Sequence, residues 1–164
     1  MHLPINHRLR PHWRLLAGLC GAYLLAFGVL GAVATAGLPL FDRDDTYVLG
    51  LRANPAFAWL SLLAGGVVLL AAIVGRDLAH WVNLGTGGLF LLVGLAMLAL
   101  LQTPQNVLNF EVATCVVALL LGTVLLTAGL YGKTGTPRES AAEEVLRHST
   151  RPGDKFTVRP ESGA

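Results

Sequence analysis

Four stretches of this chain carry no Asp, Glu, Lys or Arg: residues 15–37, 56–75, 81–101 and 112–132. About 20 apolar residues cross a hydrocarbon core of about 30 Å at 1.5 Å per residue, and each stretch reaches that length. None shows the charged stripe that a helix of a soluble bundle keeps toward water. The pattern predicts helices over about 15–37, 56–75, 81–101 and 108–131. The expected fold is all-α, an integral membrane, antiparallel four-helix transmembrane bundle with a short cytoplasmic tail. Residues 1–13 then form a cytoplasmic lead, 14–132 the transmembrane domain and 133–164 the tail.

The polar positions between these runs predict the connections. Pro39 stops the first helix, and residues 38–54 make the longest link. That link is acidic at Asp42, Asp44 and Asp45 and turns apolar over Tyr47-Val48-Leu49-Gly50-Leu51, a segment expected on the membrane surface. Pro55 suits the first turn of the second helix. Residues 76–80 read as a tight turn, and Gln102-Thr103-Pro104-Gln105-Asn106 as a compact uncharged one. In the tail, Ser140-Ala141-Ala142-Glu143 has the form of a capping box and predicts one short helix. Disorder is expected after Arg151-Pro152-Gly153. No long repeat stands out beyond the alternation of helices.

Helices in lipid associate through close packing of small residues, because the tails are as apolar as leucine. Each span offers a stripe at helical spacing. The stripes are Ala17, Gly21, Gly28, Ala32 and Thr35; Ser61, Gly65 and Ala72; Asn83, Gly87, Phe90 and Gly94; and Glu111, Cys115, Ala118, Gly122 and Gly129. These faces are expected to turn inward and the Leu-, Val- and Phe-rich faces toward lipid.

Composition agrees. Hydrophobic residues are 54% of the chain and charged residues 13%, against about 25% charged in a soluble domain. Arg8, Arg10 and Arg14 before the first run resemble the start of a signal peptide, but the run exceeds the usual apolar core of about 7–15 residues. The first span is therefore read as retained.

Charge placement adds an orientation. Of the 12 Lys and Arg residues, only Arg43 and Arg52 fall on the side of the acidic link. The remainder lie in the lead, at Arg76 and in the tail. The positive-inside bias places both termini in the cytoplasm, here of a bacterial plasma membrane. Cys20 and Cys115 sit near opposite ends of their spans, about 15 Å apart in depth at 1.5 Å per residue. A bridge needs Cα atoms within about 7 Å, so none is expected.

Chemistry-bearing residues are few. Glu111 is the one acid inside an expected helix, and it reads either as a proton or cation site or as an interfacial residue capping the turn with Asn106 or Asn109. Asn83 is expected to hydrogen-bond between helices or to the nearby turn. His80, beside Arg76 and Asp77, reads as structural. His2, His7 and His12 are five apart, not the i, i+4 spacing of a helical metal pair, and the acidic link lacks the glycine and terminal Glu of a calcium loop. No phosphate loop, Ser-His-Asp set, CxxC or HExxH is present. The expectation is no enzyme, no cofactor, no metal and no nucleic-acid partner.

Several segments are familiar together. Val48-Leu49-Gly50-Leu51 with Asn54 resembles the start of a family pattern. So do Asn83-Leu84-Gly85-Thr86-Gly87-Gly88-Leu89-Phe90-Leu91-Leu92-Val93-Gly94-Leu95, the turn Thr103-Pro104-Gln105-Asn106-Val107-Leu108-Asn109-Phe110, and Thr127-Ala128-Gly129-Leu130-Tyr131-Gly132. Over about residues 10–133 the chain resembles the bacterial membrane family called domain of unknown function 4383, common in actinobacteria. The resemblance implies four helices in a bacterial plasma membrane and brings no activity or catalytic residues. The expected function is structural or accessory, with the lipid bilayer and either partner membrane proteins or further copies as contacts. The alternative is a small-solute or ion transporter or channel acting as an oligomer.

Overall fold

A computed structural model describes residues 8–135. The tail helix, the disorder expected beyond it, and His2 and His7 lie outside the described residues. Four helices form: α1 (Arg10–Ala34), α2 (Pro55–Val74), α3 (Arg76–Leu100) and α4 (Val112–Tyr131). Each is long and apolar enough to cross a membrane. They run up and down in sequence and pack as a bundle, so the expected all-α transmembrane fold holds.

The boundaries differ from the charge-free runs for local reasons. α1 begins at Arg10, because charge does not stop a helix and Pro11 fits its first turn. At 25 residues it is about 37 Å long, and its arginine-bearing first turns overhang a core of about 30 Å. It ends at Ala34, where the Thr35 hydroxyl and amide both donate to the Gly31 carbonyl at 2.8 and 2.9 Å. The expected turn over 76–80 is almost absent. Gly75, at φ 72 and ψ −146, reverses the chain together with Arg76, at φ 56, and α3 starts at Arg76. α4 starts four residues later than expected. Asn109 has φ 56, which asparagine tolerates better than most residues, and this breaks the helix before Val112.

The apolar part of the long link folds onto the end of the bundle. Tyr47–Val48 (β1) and Leu51–Arg52 (β2) pair antiparallel as a minimal hairpin. Val48 and Leu51 point into the bundle and pack with Phe27 and Ala53, against Phe57 and Val117. Phe57 stacks at tilted angles on Phe27 and Phe110, with centroids 4.9 and 4.8 Å away. The hairpin plugs this loop end. The opposite, terminal end is closed by Trp13 stacked on Tyr131 at 5.8 Å.

α1 packs mainly on α2 and α3 mainly on α4, and the other seams are thinner. Within each pair the small residues bring backbones together. A methyl group on Gly21 would lie 2.8 Å from the Leu69 backbone nitrogen, and one on Gly122 would lie 2.9 Å from that of Leu91. Gly28, Gly65 and Gly87 are tighter still against Leu62, Leu25 and Leu126. Ala32 is only partly buried, and Gly31, against Ala58, takes its place in the stripe.

These contacts reveal a repeat that the sequence hides. Arg14, Gly21 and Gly28 of α1 step by seven, as do His80, Gly87 and Gly94 of α3. Ala58, Gly65 and Ala72 of α2 match Cys115, Gly122 and Gly129 of α4 in the same way. All of the glycines and alanines in these sets, with Cys115, are buried. The α1–α2 and α3–α4 hairpins thus match at these seam positions; residues 35–54 connect the first pair, residues 101–111 connect the second, and Gly75 joins the two hairpins.

Candidate functional site

Polar chemistry collects at the two ends. At the loop end, β2 aims Arg52 at three acceptors. Its guanidinium lies 2.7 Å from Asp45 and 3.7 Å from Glu111, and its Nε donates to the Tyr47 hydroxyl at 3.1 Å. Tyr47 in turn donates to Glu111 Oε2 at 3.3 Å. The Tyr47 hydrogen bond first, then the carboxylates of Asp45 and Glu111, hold the Arg52 proton more firmly than usual. Glu111 thus stands at the N-cap position of α4, outside the span, and its side chain caps nothing. The reading of it as an acid within a helix is corrected: it pairs with Arg52 across the loop end.

Asn54 and Asn109 lace the two loop-end links together, and Asn106 staples the second link to itself. Asn54 caps α2 by accepting from Phe57 N at 2.8 Å, and its Nδ2 donates to the Val107 carbonyl at 2.9 Å and to that of Asp42 at 3.2 Å. Asn106 accepts from Phe110 N and donates to the Phe110 carbonyl, both at 2.8 Å. Asn109 donates to the Asp44 carbonyl at 2.9 Å. Arg43 donates to the Pro104 carbonyl at 2.6 Å. Asn54, Asn109 and Phe110 are buried, so these bonds satisfy backbone groups that water does not reach.

At the terminal end, the two hairpins use one device. A helix leaves its last carbonyls short of intrahelical partners, and a side-chain donor nearby helps to satisfy them. Arg14 of α1 donates to the last-turn carbonyls of α2, Ala72 at 2.5 Å and Ile73 at 2.6 Å. His80 of α3 donates through Nδ1 to the Gly129 carbonyl of α4 at 2.7 Å. His80 is 2% exposed and meets Trp81 edge-on, so it is a buried structural cap.

The family model for Domain of unknown function (DUF4383) matches residues 14–131. The chain belongs to this family. The matched range begins at the Arg14 cap and takes in both hairpins, the loop-end lacing and all five polar positions singled out in the sequence. The family carries no assigned activity. Neither the curated proteins nor the solved structures contain a match.

Asn83 departs from expectation. It is buried, yet its Oδ1 has no hydrogen-bond partner. It borders a cavity of about 10 Å³ with Arg14, Gly75, Ala79 and Ala128, room for about one water. Its counterpart in the first hairpin is Ala17. Thr114 Oγ1 is the other buried atom in this condition among the described residues.

The structure therefore gathers Glu111, Asn106 and Asn109 at one end and His80 and Asn83 at the other. No group of three or more His, Cys, Asp or Glu able to hold a metal occurs among the described residues. Sequence reading misses Arg52, Tyr47 and Arg14. Arg52 is legible in one respect, as one of two cations on the side of three aspartates, following a short apolar segment.

Proposed function

We propose that this membrane protein is structural or accessory, a compact scaffold that packs with partner membrane proteins or with further copies of itself. The observation that carries this reading is how the polar groups are used. Arg14, His80, Asn54, Asn106 and Asn109 are spent on backbone carbonyls and amides, and Glu111 on Arg52. Between the two ends the helices meet backbone to backbone through Gly21, Gly65, Gly87 and Gly122. Such an interior supports packing and leaves no acid or base to carry a proton or bond change. On this reading the protein is not an enzyme. The basic terminal end faces the cytoplasm of a bacterial cell, and the loop end faces outward across the plasma membrane.

A second reading, an oligomeric transporter or channel for a small solute or ion, draws on the match between the two hairpins, since repeats running in the same direction build several transporter folds. Purifying the tagged protein from its native membrane in mild detergent separates the two. A stoichiometric foreign membrane protein at the mass of a defined complex is the result the accessory reading expects. A pure homo-oligomer that moves ions in liposomes would overturn it.

A further inference from the structure

The match between the two hairpins makes their differences visible, and one lies on the lipid side of the first. In the second hairpin, Leu84 lies over Gly129 and fills the seam between α3 and α4, its side chain about where a methyl on Gly129 would go. The matching position in α1 is Gly18. A methyl placed there would meet only the Ala72 side chain, at 3.6 Å. Gly18 is therefore not needed for the helices to approach each other. It lies in a groove of about 850 Å³ between α1 and α2, floored by Gly18, Ala22 and Ala72 and walled by Leu19, Leu69 and Ile73.

The mouth of that groove is charged. Arg10 and Arg14 line it. Arg14 is held by the Ala72 and Ile73 carbonyls through Nε and Nη2. Arg10 makes no hydrogen bond or ion pair among the described residues. Arg8, Arg76 and Lys133 add positive charge at the same end, and the one acid there among the described residues, Asp77, accepts from Thr134 at 2.5 Å. The arginines stand where α1 overhangs the hydrocarbon core, at the level of lipid headgroups, and the apolar groove descends from them into the acyl region.

We propose that this groove holds one anionic phospholipid, its phosphate against Arg10 and Arg14 and one acyl chain along Gly18, Ala22 and Leu69. The occupant is a lipid and not a free anion, because the apolar groove is far longer than a phosphate and opens sideways to the bilayer. The proposal does not depend on the accessory role.

The test is native mass spectrometry of the full-length protein in mild detergent, delipidated and titrated with phosphatidylglycerol, phosphatidylcholine or inorganic phosphate. One phosphatidylglycerol per chain is expected, held at least about five-fold more tightly than phosphatidylcholine, with no retention of phosphate. Arg10→Gln should weaken it about five-fold, the change expected for one arginine at a charged surface. Gly18→Leu, which copies the second hairpin, should abolish it with unfolding temperature unchanged. Ala22→Trp, at an exposed position further along the groove, should do the same if Gly18→Leu folds poorly. Equal retention of the two lipids, or wild-type retention by both groove-filling variants, would overturn the proposal. So would a lipid-free dimer that Gly18→Leu dissociates, because a second copy would then be the occupant.

Discussion

Gly85 and Gly87 stand two residues apart on α3 and answer different physical demands. Around Gly85 a methyl group would find open space, whereas on Gly87 it would strike the backbone of Leu126 and Gly122. Gly87→Leu should therefore lower stability in detergent by about 1–3 kcal/mol or more, the cost of overpacking a close contact. Gly85→Leu should leave it unchanged. Thermal unfolding of the two variants side by side decides whether the stripes are packing surfaces, and equal behaviour would count against the contacts described. Glu111 makes a contrasting case. Its ion pair with Arg52 is partly exposed, and such pairs contribute little net stability. Glu111→Gln should fold with an unaltered unfolding midpoint, and any ion flux carried by the wild type in liposomes should persist in it.

At the scale of elements, the connections do more than the helices to fix the shape. Gly75 adopts φ 72 and ψ −146, a conformation nearly confined to glycine, and with Arg76 at φ 56 it reverses α2 into α3. Gly75→Ala should cost about 1–3 kcal/mol in strain, measured by thermal unfolding. Asn54 joins three backbone groups from three segments. Asn54→Ala removes the cap and strands buried carbonyls, so a loss of about 2–3 kcal/mol is expected. Hydrogen exchange should rise first at Phe57 and across residues 42–46 and 106–110. The spans themselves are legible in the sequence because charge-free length is a strong signal. The α4 start is not, since Leu108, Phe110 and Val112 look like helix until Asn109 takes a positive φ. The hairpin over Tyr47–Arg52 is not legible either, because two-residue strands carry no periodicity.

The whole molecule is two hairpins zipped by glycine and closed at both ends. Its repeat is invisible in the sequence because the matched positions share size and role more than identity, as Arg14 with His80 and Ala58 with Cys115 illustrate. The polar positions stand out one by one along the chain, but their grouping does not. Glu111 looks like a membrane-embedded acid until the fold brings Arg52, far away in sequence, to its side. The proposed accessory role requires that no water-filled path cross the bundle. Cysteine accessibility in native membranes tests that most directly, in a Cys20→Ser background with single cysteines at Ser61, Asp44, Leu78 and Gln105 and the native Cys115. Ser61 is 2% exposed and Cys115 fully buried. Membrane-impermeant thiol reagents should label the loop-end positions Asp44→Cys and Gln105→Cys from outside and Leu78→Cys from inside, and should leave Ser61→Cys and Cys115 untouched. Rapid labelling of Ser61→Cys from either side would mean a water-filled path through the bundle and would contradict the accessory account.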